Sequence, residues 1–178
     1  MRSNTSKIAL CGVVAALSVV VLFLTGIVPV ATVALPALAG CFIIAVVAET
    51  DVKHGFAVYG VVSVLSVFLV PDREAALMYL VFFGYYPALY GILSRIRSRF
   101  WCWTAKLAVF NAAMVVETVA ALWVLGIPVE EMLPYGWVTV PVFAVLLNVI
   151  FVLYDLSMNG LIVMYIRRVH PAIGKYLK

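Results

Sequence analysis

The sequence predicts an all-α polytopic membrane protein, and three observations lead there. Hydrophobic residues make up 66% of the 178 and charged residues only 11%, with a mean hydropathy of +1.17. A soluble domain carries about a quarter charged residues. The apolar residues gather into six runs, most near the roughly 20 residues a helix needs to cross a hydrocarbon core. Lys and Arg concentrate on alternate connections between those runs. The expected architecture is one integral membrane domain over residues 1–178, a bundle with spans near 8–28, 30–48, 55–70, 75–93, 104–125 and 138–166. No long polar segment remains for a soluble catalytic domain.

The first run comes after a short polar, basic start, Met1 to Lys7. It reads as a retained helix: Leu10 before Cys11 is too large for lipoprotein processing, and further spans come at once. Ala9, Gly12 and Ala16 lie early in it, with Gly12 and Ala16 four apart, a spacing that lets helix backbones approach closely. Pro36 and Gly40 interrupt the second run. A charged loop, Glu49 to His54, leads to the third, and Pro71-Asp72-Arg73-Glu74 forms the turn into the fourth.

The fourth span carries Tyr79, Tyr86 and Tyr90 at i, i+7 and i+11, a face suited to stacking a ligand. Pro87 removes the backbone bond to Phe83 and predicts a kink there. Arg95, Arg97 and Arg99 make a basic loop ending in the interfacial anchors Trp101 and Trp103. The fifth span has Thr104, Asn111 and Thr118 on one stripe and Glu117 near its middle. Residues 126–137, with Glu130, Glu131, Tyr135 and Trp137, read as a loop resting in the interface.

The last span holds the most informative stretch. At about 100° per residue, Asn148, Asp155 and Asn159 fall within about 20° of one line. An aspartate near a bilayer centre costs roughly 2.5–3.5 kcal/mol on insertion scales, so it faces a bundle interior or cavity. A plain structural role competes with a ligand role at Asp155: a bond to Asn111, Thr118 or a tyrosine hydroxyl on another helix. Lys106 is expected near the end of its span, leaving no Lys or Arg deep in the apolar region. The binding candidates are therefore Asn148, Asp155, Tyr86, Tyr79, Asn111, Glu117, Glu74 and Trp137. They suit a small guest that is neutral, aromatic or amine-bearing better than a polyanion.

With the N-terminus inside, eleven of the twelve Lys and Arg fall on the inner side and only Arg73 on the outer. The positive-inside rule then makes both termini cytoplasmic. This arrangement accounts for the net charge of +4 without nucleic-acid binding. Cys11, Cys41 and Cys102 are isolated, and His54 and His170 lack partners at ligand spacing, so no metal site is expected. No G-x-S-x-G, H-E-x-x-H or phosphate loop occurs, and Tyr154-Asp155 lacks the second intramembrane aspartate an aspartyl protease needs. The chain is not expected to be an enzyme or to hold a cofactor.

Several stretches together resemble the S-components of energy-coupling factor transporters. They are Lys7-Ile-Ala-Leu-Cys-Gly12-Val-Val-Ala-Ala16, Leu35-Pro-Ala-Leu-Ala-Gly40, Pro71-Asp-Arg-Glu-Ala-Ala-Leu-Met-Tyr79, Phe83-Gly-Tyr-Tyr-Pro87, Phe110-Asn111 and Tyr154-Asp155. The resemblance implies a six-helix subunit in a prokaryotic plasma membrane that captures a vitamin-like micronutrient from outside. It also implies docking through Ala9, Gly12 and Ala16 onto a transmembrane coupling subunit that carries two ATPases, with glycine here in place of the usual first alanine. Two other readings share the size and span count: a membrane scaffold of the cell-shape or envelope type, and a small proton-coupled secondary transporter. In an outward-opening pocket Asn148 contacts the ligand more directly, with Asp155 at the floor or in a helix-locking bond beneath it.

Overall fold

The computed structural model describes residues 4–28, 31–128 and 136–173. Its elements are helical: α1 (Asn4–Phe23) with a 3₁₀ turn (Leu24–Gly26), α2 (Ala34–Cys41), α3 (Ile43–Glu49), α4 (Val52–Leu69), α5 (Arg73–Met78), a π turn (Tyr79–Phe83), α6 (Tyr86–Leu93) and α7 (Arg99–Trp123). A short 3₁₀ turn (Gly136–Val138) then leads into α8 (Thr139–Met164), a second π turn (Tyr165–Val169) and α9 (His170–Ile173). Among the described residues, five helical stretches are long and apolar enough to cross a membrane: Thr5–Gly26, Val52–Leu69, Arg73–Leu93, Arg99–Trp123 and Gly136–Val169. The predicted second span, 30–48, is instead a shorter apolar helix over Ala34–Glu49, broken at Phe42.

Capping residues explain why two helices start earlier than hydropathy suggests. Asp51 accepts the His54 backbone N–H at 3.0 Å, so α4 begins at Val52 rather than 55. Those His54 contacts, the backbone N–H first, hold the exposed Asp51 carboxyl below its usual range. Asp72 accepts from the N–H groups of Glu74 and Ala75, both at 3.1 Å, and starts α5 at Arg73 rather than 75. Each aspartate satisfies donors that the first helical turn leaves without partners. Pro36 falls in the first turn of α2, where a missing N–H costs no helix bond.

The kink expected at Pro87 takes a specific form. The Gly84 N–H bonds Tyr79 O at 2.8 Å, an i to i+5 closure, and helical geometry resumes only at Tyr86. The bond from Gly84 bypasses the Leu80 carbonyl, which receives the Tyr59 hydroxyl from α4 at 2.7 Å. Gly40 of α2 lies against Phe83, whose carbonyl Pro87 cannot bond. A Cβ at Gly40 would come within 2.1 Å of that oxygen, so only glycine fits this crossing. The extra residue in the π turn also rotates α6 relative to α5. Tyr79 therefore packs with Val58, Val62 and Ala39, whereas Tyr86 packs with Phe82, Phe110 and Phe151. The three tyrosines do not share one face.

The helices run up and down. Gly26 meets Pro71 at one end of the bundle. At the other, the Cys102 thiol donates to Leu93 O at 3.3 Å, and the His170 ring nitrogen lies 2.8 Å from the buried Glu49 carboxylate. The Tyr165 hydroxyl reaches the same Glu49 oxygen at 3.1 Å. His170, with no partner at ligand spacing in the sequence, is exposed and also helps tie the C-terminal turns to α3. Lys53, Arg95, Arg97 and Arg99 make this second end the basic end of the bundle. Asp72 and Glu74 stand at the opposite, acidic end.

Candidate functional site

Antiparallel packing of α7 on α8 sets the site out in layers. Lys106 faces Asp155; one turn further, Phe110 stacks on Phe151 with centroids 4.5 Å apart and planes at 11°; beside it Asn111 meets Asn148. The face of α7 turned to the bundle is the i, i+4, i+7, i+11, i+15 series Lys106, Phe110, Ala113, Glu117 and Ala121. Four of these are buried, and Glu117 is half-buried.

The deepest layer is an ion pair. Lys106 Nζ lies 2.8 Å from each carboxylate oxygen of Asp155, with the two side chains 6% and 4% exposed. The Tyr86 hydroxyl donates a short hydrogen bond to Asp155 Oδ1. The ammonium also stands over the Tyr90 ring at 3.9 Å, with Trp103 at 5.4 Å. The aspartate is thus held by a tyrosine hydroxyl, one of the structural partners considered from sequence, and by a cation that sequence reading placed elsewhere. Lys106, expected near the end of its span, is instead buried within the bundle. The span was expected to begin at 104, but α7 begins at Arg99, so Lys106 lies about two turns, roughly 10 Å, inside the helix. Its shared face with Phe110 and Glu117 is the sequence signal that marks it as inward-facing.

One turn towards the acidic end, Asn111 and Asn148 exchange amide hydrogen bonds of 3.0 and 3.1 Å. Each also donates to the carbonyl four residues back, Leu107 O and Ala144 O, both at 2.8 Å. This clasp sits at the outer edge of the α7–α8 contact, with Asn111 exposed. Thr104 and Thr118 share its side of α7 and bond the carbonyls of Phe100 and Met114. On α8, Asp155 is buried, Asn148 half-buried and Asn159 exposed, because the buried face is centred on Phe151 and Met158, to one side of the polar stripe.

The remaining candidates lie apart. Tyr79 is buried in the α1–α4 core, its hydroxyl without a hydrogen-bond partner among the described residues. Trp137 is 83% exposed. Glu130, Glu131 and Tyr135 lie outside the described residues. Glu117 feels the like charge of Glu74 across the α5–α7 contact, and neither carboxylate side chain has a hydrogen-bond or ion-pair partner among the described residues. Opposite them, α8 has every residue from Val140 to Leu146 exposed. No face of that stretch is buried, so this end of α8 stands clear of the other described helices. By the antiparallel pairing that sets Asn111 against Asn148, Glu117 lies level with this exposed stretch.

Ala9, Gly12 and Ala16 are all exposed on α1, and a Cβ at Gly12 would meet nothing within 4 Å. The opposite face of α1, with Val14, Ser18 and Leu22, packs into the bundle; the Ser18 hydroxyl bonds Ala39 O at 3.2 Å. No three described His, Cys, Asp or Glu residues stand together as a metal site would need. No family model, curated protein or solved structure matches the chain.

Proposed function

We propose that the chain is the substrate-capturing membrane subunit of a transporter, of the S-component kind, taking up a small neutral or amine-bearing micronutrient. The observation that carries this reading is the half-buried Glu117 at the acidic end, with Glu74 near it and no ion-pair partner for either among the described residues. A half-buried carboxylate without a counter-ion inside an apolar bundle is expensive, and intramembrane ionisable residues of this kind mark ligand or ion pathways. Glu117 with Glu74 suits an ammonium group. Beneath them Asp155 is neutralised by Lys106, so the floor adds polarity without net charge.

In this reading the six apolar stretches span the plasma membrane of a prokaryote, the basic end is cytoplasmic by the positive-inside rule, and the Glu117 and Glu74 end faces outside. The Lys106–Asp155–Tyr86 centre then lies in the cytoplasmic half and fixes α6, α7 and α8 while the outer part of α8 moves over the guest. Partner subunits hydrolyse ATP. The unused Ala9, Gly12 and Ala16 face of α1 is available for close docking of the coupling subunit.

Co-purification tests the assembly. The chain should bring down a coupling subunit and ATPases, and Gly12→Leu should weaken that complex without lowering the stability of the isolated chain. Unchanged assembly of the variant would count heavily against the reading. Uptake that stops when the proton gradient is dissipated, but ignores ATP depletion, would replace it with a proton-coupled secondary transporter.

A further inference from the structure

At the basic end, a groove of about 530 Å³ lies between the start of α4 and the end of α6, lined by Asp51, Val52, Lys53, Phe56, Ile92 and Arg95. Its walls are apolar and its rim is charged. Asp51 accepts the His54 backbone N–H at 3.0 Å, and the His54 ring nitrogen lies 2.9 Å from its second carboxylate oxygen. Lys53 and Arg95 have no carboxylate within 4.0 Å among the described residues. Two such cations from different parts of the chain therefore overhang an apolar trough where the membrane-crossing helices end.

We infer that this groove seats an anionic glycerophospholipid, with Lys53 and Arg95 on the phosphate and an acyl chain along Phe56 and Ile92. The chemistry matches both parts of that molecule. Basic pockets between helix ends on the cytoplasmic side attract anionic headgroups, and the volume lies in the range of small-molecule sites. A water-soluble phosphate would satisfy the cations but leave the apolar trough empty. Bound lipid would bridge α4 and α6 at the end where α6 hands over to α7.

This inference rests on the membrane reading but not on any transported substrate. Resistance of the chain to carbonate extraction from membranes tests the embedding separately. The site itself is tested by native mass spectrometry of the chain from nanodiscs containing equal phosphatidylglycerol and phosphatidylcholine. Retention of phosphatidylglycerol should exceed that of phosphatidylcholine and should fall roughly fivefold for each of Lys53→Ala and Arg95→Ala, the usual contribution of one basic residue near an anionic surface. The Arg97→Ala/Arg99→Ala chain, altered in the adjoining loop and at the first residue of α7, should keep it. Equal retention of the two lipids, equal loss in the loop variant, or equal thermal stabilisation by water-soluble glycerol phosphate would each overturn the site.

Discussion

Replacing Lys106 by Met, Asp155 by Leu, and both together tests what the deepest polar layer contributes. At 2.8 Å and an effective dielectric near 20, the pair attracts with about 6 kcal/mol before solvation is counted. Stripping water from two ions costs several kcal/mol each, so the intact pair is worth little against a well-packed apolar one. Either single change should therefore be severe, about 3–5 kcal/mol, because it strands a buried charge. Lys106→Met leaves Asp155 the Tyr86 hydroxyl, while Asp155→Leu leaves Lys106 only the Tyr90 and Trp103 rings. The double variant should recover most of the loss, with a coupling near or above about 3 kcal/mol, the upper end for neighbouring residues. Equilibrium unfolding in mixed SDS micelles, followed by tryptophan fluorescence, gives the cycle. Additive single losses, or singles costing under about 1 kcal/mol, would refute the buried-pair account.

The packing sets three further outcomes. Gly40→Ala should sharply reduce folded yield, since its Cβ would collide with Phe83 O, whereas Gly12→Ala should leave stability unchanged because open space surrounds it; size-exclusion profiles of the two compare them directly. Asn111→Leu and Asn148→Leu should each cost about 0.6–1.7 kcal/mol, the span measured for hydrogen bonds between membrane helices, and the pair together less than their sum; unfolding midpoints in micelles decide it. Asp72→Ala should cost about 1 kcal/mol through loss of its bonds to the Glu74 and Ala75 N–H groups, and Asp72→Asn only part of that, read from the same midpoints.

Hydropathy alone located the long helices, because their exposed residues, Val142, Phe143 and Val145 among them, are as apolar as the buried ones. Two helix starts needed cap chemistry, since Asp51 and Asp72 move α4 and α5 earlier; α7 begins without a side-chain cap, on residues Arg99 to Trp103 that read as a loop. That last shift is what hid Lys106. The π turn at Tyr79–Phe83 left no trace in composition, yet its one extra residue sends Tyr79 and Tyr86 into different cores. The polar stripe on α8 was legible as a stripe. Its partners were not, since a helical wheel gives the direction of a side chain but not which neighbouring helix meets it. Asn148 and Asp155 share a line on one helix and still engage different layers, the Asn111 clasp and the Lys106 pair.

The central claim is that the acidic end, through Glu117 and Glu74, holds a small molecule. Native mass spectrometry of the chain, released from mild detergent as wild type and as Glu117→Gln, tests it most directly. The account predicts a small organic adduct on the wild-type chain that is lost or sharply reduced in the variant, with both folded to the same extent. An adduct retained equally by both, or no adduct on either, would contradict it.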